Sequence, residues 1–103
     1  MILILSPVAT MNVKKMQISV SGLVITINGR EYDLSAIPEG GQAEASEDSP
    51  FIGILTREQA TIRYEYDMVL AEDNQSLDWA DYTFYVTDGE VPCPIKWKEG
   101  VIV

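Results

Sequence analysis

Glu65 and Asp67 stand two residues apart in the run Thr61-Ile62-Arg63-Tyr64-Glu65-Tyr66-Asp67. Two carboxylates that close on one face of a strand perturb one another's proton affinity, and such pairs underlie glycosidase chemistry. The surrounding pattern points elsewhere. Ile62, Tyr64, Tyr66, Met68 and Leu70 alternate with Thr61, Arg63, Glu65, Asp67 and Val69, which is the period of a strand with one buried face, so both acids are expected on its solvent face. Asp73, Gln75, Asp78 and Asp81 offer oxygen ligands for calcium, but their spacing departs from the EF-hand loop, which needs a central Gly and a Glu at its twelfth position. Gly40-Gly41 has neither the Lys nor the flanking spacing of a phosphate-binding loop.

The chain has no histidine and one cysteine. Ser/His and Cys/His nucleophile pairs and His-containing zinc sites therefore cannot be built. A single Cys forms no intramolecular disulfide and no Cys cluster for a metal or an iron–sulfur centre. Cys93 lies between Pro92 and Pro94, without a histidine to lower its pKa, and is expected to be a small buried hydrophobe. No catalytic residue, no metal ligand and no cofactor site is expected, and the chain reads as non-enzymatic. A lone cysteine makes residence in the cytoplasm the default expectation.

Charge narrows the partners. The net charge is −9, and residues 39–90 hold thirteen acidic and two basic side chains. Direct nucleic-acid binding is disfavoured, because phosphate contacts need clustered Lys and Arg. The acidity suits a solvated surface that resists edge-to-edge association. The alternative is imitation of a nucleic-acid phosphate array by an inhibitor of a host DNA- or RNA-binding enzyme, with Glu65, Asp67, Glu72 and Asp73 as acidic contacts. Aromatic residues suggest a different surface. Tyr64, Tyr66, Trp79, Tyr82, Phe84, Tyr85 and Trp97 fall in the last 40 residues, more than a small domain readily buries, so Tyr64, Tyr66, Trp79, Tyr85 and Trp97 are candidate protein contacts.

The elements that must carry these residues are strands. Leu23 to Ile27, then Asn28-Gly29, then Arg30 to Leu34 predict a hairpin, since Asn-Gly tolerates the positive φ of a type I′ turn. Met16 to Val20 reads as a strand before it. Residues 38–50, Pro-Glu-Gly-Gly-Gln-Ala-Glu-Ala-Ser-Glu-Asp-Ser-Pro, read as an acidic loop with little to bury. Phe51 to Leu55 and the run from Thr61 predict a second hairpin that turns at Arg57 to Gln59. Tyr82 to Thr87, a turn at Asp88-Gly89, and Val91 to Lys98 predict a third, whose prolines 92 and 94 mark an edge or bulged strand. Gly100 to Val103 is expected to add a short terminal strand.

At 103 residues the chain fits one domain. The expected fold is mainly β: a single small antiparallel domain of about three hairpins, arranged as a twisted sheet, small sandwich or partly open barrel, over residues 16–103. Residues 1–15 read either as an extra strand or as an N-terminal extension, with Met16 a second candidate start. The apolar Met1 to Leu5 is too short for a membrane anchor and lacks the basic flank of a signal peptide.

The stretch Ile25-Thr26-Ile27-Asn28-Gly29-Arg30-Glu31-Tyr32-Asp33-Leu34-Ser35-Ala36-Ile37-Pro38-Glu39-Gly40 resembles the opening of small uncharacterised proteins encoded by tailed phages and prophages, with their ING-x-x-YDLS pattern. The resemblance covers about 16 residues and implies a genomic setting without any functional residue. The expected function is that of a phage or prophage accessory or assembly protein, cytoplasmic or virion-associated. It would act on a protein partner or by self-association into an oligomer, without contact with membrane.

Overall fold

The hairpin at Asn28-Gly29 forms where the sequence places it. Asn28 and Gly29 adopt φ of +51° and +86°, so the chain reverses in two residues and joins Val24–Ile27 to Arg30–Asp33 in antiparallel register, Ile27 opposite Arg30 and Ile25 opposite Tyr32. Apolar alternation then selects the face: Ile25 and Ile27 are buried while Asn28, Gly29 and Arg30 are exposed. The turn also anchors the preceding segment. The Gln17 backbone N–H donates to Asn28 Oδ1 at 2.9 Å and the Asn28 N–H donates back to Gln17 O at 2.8 Å.

The computed structural model describes residues 1–99; the strand expected at Gly100 to Val103 lies outside the described residues. In chain order the strands are β1 (Ile2–Thr10), β2 (Ile18–Ser21), β3 (Val24–Ile27), β4 (Arg30–Asp33), β5 (Ala43–Glu44), β6 (Ile54–Leu55), β7 (Gln59–Asp67), β8 (Thr83–Tyr85) and β9 (Asp88–Glu90), with single 3₁₀ turns at Leu34–Ala36 and Trp79–Tyr82. Among the described residues they make three sheets, in the orders β7-β1-β8, β4-β3-β2-β9 and β5-β6. The fold is thus mainly β and small, and none of these sheets closes into a barrel.

Residues 2–10 form β1, the centre of a sheet. It pairs along its full length with β7, from Ile2 opposite Gln59 to Thr10 opposite Asp67. Its other side takes β8, with Ile2 opposite Tyr85. The β1–β7 pairing is parallel, the exception in an otherwise antiparallel set. A parallel neighbour needs a long crossover, and here the whole β2–β6 region supplies it.

Arg57 to Gln59 turns the chain into β7 as expected: Thr56 Oγ1 accepts from the N–H groups of Glu58 and Gln59. Phe51 then bridges antiparallel to Ile62. The strand stops at Asp67, where the carboxylate accepts from the Val69 N–H at 2.9 Å and bends Met68 to Leu70 into a turn. Within the acidic loop, Ala43 and Glu44 pair with Leu55 and Ile54.

The third hairpin is replaced by a crossing between sheets. β8 pairs with β1, and Asp88-Gly89-Glu90 is not a turn but β9, paired with β2 through Gly89 opposite Val20. Pro92 and Pro94 lack the N–H groups that a return strand would need. Among residues 91–98 only an isolated bridge forms, Trp97 with Ala71. β1 instead takes the partner that the predicted strand would have paired, and β2 pairs with the residues predicted as the turn.

One apolar cluster joins the two larger sheets. Leu3, Leu5, Ala60, Ile62 and Tyr64 enter it from one side, and Ile18, Val20, Ile25 and Ile27 from the other. Leu34, Ile37, Phe51 and Ile95 close its margins. Leu5, fully buried at the centre, is the most informative probe of this packing. Leu5→Ala is expected to lower stability in urea unfolding by about 2–5 kcal/mol, through lost transfer energy and the cavity left behind. Leu77→Ala, at a site 99% exposed, should change it by less than about 0.5 kcal/mol.

Candidate contact surface

The five aromatic residues singled out by composition separate by depth. Tyr64 is 2% exposed and belongs to the core, so it presents no surface to a partner. Its place follows from the alternation of β7, which directs Ala60, Ile62 and Tyr64 inward together. Tyr66 and Trp97 are half-buried against the same cluster. Trp79 and Tyr85 are 57% and 79% exposed.

Those two exposed rings stand at the two ends of one short segment, the Trp79–Tyr82 3₁₀ turn and β8. Asp78 accepts from the Ala80 N–H at 2.9 Å and starts the Trp79–Tyr82 3₁₀ turn. Thr83 Oγ1 then donates back to Trp79 O at 2.8 Å, holding the turn against the first residue of β8. Tyr82 goes inward, its hydroxyl donating to Ser76 O at 2.7 Å and its ring meeting Trp79 edge-on at 6.2 Å. β8 runs along the outside of its sheet, so among the described residues one row of its backbone donors and acceptors faces away from β1. The exposed Leu77, two residues before Trp79, escaped the sequence reading because a single Leu in a polar stretch has no periodicity to signal its face.

The acidic candidates are dispersed among structural roles. Glu65 and Asp67 lie on β7 opposite Val8 and Thr10, both half-buried, and Asp67 is engaged in its turn. Glu72 and Asp73 are exposed, in a loop held by Gln75, which the sequence marked only as a possible calcium ligand. The Gln75 side chain donates to Lys96 O at 2.8 Å and accepts from the Lys96 N–H at 2.9 Å, imitating a strand pair. Asp78 caps its turn and Asp81 accepts from Ser76 Oγ. Among the described residues no three His, Cys, Asp or Glu side chains converge as a metal-holding group, and no helix is long and apolar enough to cross a membrane.

Cys93 is half-buried, with its Sγ 3.1 Å from the Tyr64 hydroxyl that donates to it. Burial, reinforced by the contact with Cys93, pushes the Tyr64 phenol far above its ordinary value. Burial also raises Tyr82, with Tyr66 and Asp81 adding to it. A raised phenol favours folding while it stays neutral; its contribution is present below the unfolded value near about pH 10 and is lost as pH rises beyond it. Urea midpoints measured upward from pH 8 are therefore expected to fall above about pH 10, with Tyr64→Phe flattening part of that fall and Tyr82 retaining the rest.

No protein-family model matches the chain, and no significant match to it is found among the curated proteins or among the solved structures.

Proposed function

We propose that this is a non-enzymatic accessory or assembly protein of phage or prophage type, which works by docking on another protein or on a second copy of itself. The observation that carries this reading is the pair of exposed rings, Trp79 in the 3₁₀ turn that leads into the outer strand β8 and Tyr85 at the end of that strand. Large aromatic side chains supply contact area at little entropic cost and dominate the energetics of protein interfaces. Leu77, two residues before Trp79, is exposed as well, and the outward row of backbone groups on β8 could pair with a strand of the partner. The phage setting rests on the ING-x-x-YDLS resemblance over Ile27 to Ser35, which is compatible with action in the host cytoplasm or on the virion. A net charge of −9 favours a protein partner over nucleic acid.

Affinity capture from phage-bearing host lysate, together with sedimentation of the isolated protein, tests the reading at low and high salt. The expected complex contains virion components or further copies of the chain and survives high salt, because apolar contact is not screened. Trp79→Ala and Tyr85→Ala are each expected to weaken it by about 2 kcal/mol or more, while Glu65→Gln with Asp67→Asn leaves it intact. A nucleic-acid enzyme captured only at low salt, and lost with the Glu65 and Asp67 substitutions, would replace this reading with that of an acidic inhibitor.

A further inference from the structure

Four of the seven basic side chains of this acidic protein, Lys14, Lys15, Arg30 and Arg63, line one cleft of about 840 Å³ between the two larger sheets. Two of the sixteen acidic residues, Asp48 and Glu65, share it. A chain of net charge −9 thus carries a local excess of positive charge in this cleft. Folding produces this segregation, since the cations come from three separate segments: the connection before β2, the first residue of β4, and the middle of β7.

The lysine-bearing connection is tied at both neighbouring elements. Gln17 exchanges two hydrogen bonds with Asn28 at the hairpin turn, and Met16 Sδ accepts from the Glu65 N–H of β7 at 3.2 Å. Lys14 and Lys15 are therefore held over the gap between the sheets. Met16, Ile27 and Pro50 provide apolar lining, and Tyr32 adds an aromatic ring with the Arg30 guanidinium 5.4 Å from its centroid. The volume lies within the roughly 300–1,000 Å³ of small-molecule sites.

We propose that this cleft binds a small phosphorylated ligand, a phosphomonoester dianion attached to a flat or apolar group. The phosphate would lie among Lys14, Lys15 and Arg63, whose charge-assisted hydrogen bonds suit its oxygens, and the apolar portion against Met16 and Tyr32. The size of the charge excess limits the ligand. A phosphomonoester carries about two negative charges near neutral pH, matching the excess within the cleft, whereas a nucleic acid needs a continued track of cations. Asp48 and Glu65 interrupt any such track.

Titration of the full chain with phenyl phosphate, followed through backbone amide NMR shifts, tests the proposal. Saturable shifts are expected at residues 13–17, 27–32 and 63–65, with inorganic phosphate acting at the same place about tenfold more weakly for want of the ring contact and phenol not saturating. Lys15→Gln combined with Arg63→Gln should weaken phenyl phosphate binding by about tenfold or more; Lys96→Gln with Lys98→Gln, outside the cleft, should leave it unchanged. If the double variant loses its native spectrum, Lys14→Gln combined with Lys15→Gln, both exposed on the connection before β2, replaces it, with the same weakening expected. Absence of saturation, shifts distributed equally over all lysines, or wild-type affinity in the cleft variants would overturn the proposal. Binding of a Glu-rich peptide at the cleft without phenyl phosphate binding would overturn it too, in favour of an acidic protein segment.

Discussion

The pairing of β1 on both sides is the constraint on which the rest of the molecule depends. It pairs with β7 along nine register positions and with β8 along three. Leu3 thereby projects into the core from the middle of a sheet rather than from an edge, and Leu5 from just beyond the β8 pairing. Because the β7 pairing is parallel, the intervening chain must leave the sheet and return, and the second sheet is built on that excursion. Orphaned backbone groups in an apolar strand are costly to bury, so β1 cannot be displaced without exposing both neighbours.

The same arrangement accounts for the contact surface and the cleft. β8 is short and lies outside β1, so Trp79 and Tyr85 stay at the surface, although both fall in an aromatic-rich stretch that could equally have been core. The cleft lies where the chain crosses from the end of β1 to β2, clamped by Asn28 and Met16. The asparagine that permits the tight turn thus also fixes the lysine-bearing segment. Both surfaces face solvent from opposite necessities: one apolar and aromatic against an acidic background, the other cationic within it.

Local chemistry makes a good deal of this legible in the sequence. Two residues with positive φ suffice for a hairpin, so Asn28-Gly29 and its flanking alternation identified β3 and β4. The period-two run from Thr61 identified most of β7 and the opposite faces of Tyr64 and Glu65. Asp88-Gly89 misled, because the same dipeptide that suits a turn also fits an exposed edge strand when a distant neighbour, β2, offers the pairing. The turn chemistry was correct in kind but lost to a long-range ladder.

By itself the sequence determined the mainly β character, the Asn28-Gly29 turn and the absence of histidine chemistry, since alternation, backbone tolerance and residue type are properties of neighbours along the chain. The tertiary structure alone decided that residues 2–10 lie at the centre of a sheet, that Trp79 and Tyr85 are exposed while Tyr64 is buried, and that Lys14, Lys15, Arg30 and Arg63 share one cleft. Strand order, depth and the meeting of remote cations depend on which segments pair across the fold, and periodicity within a segment carries no information about its partner.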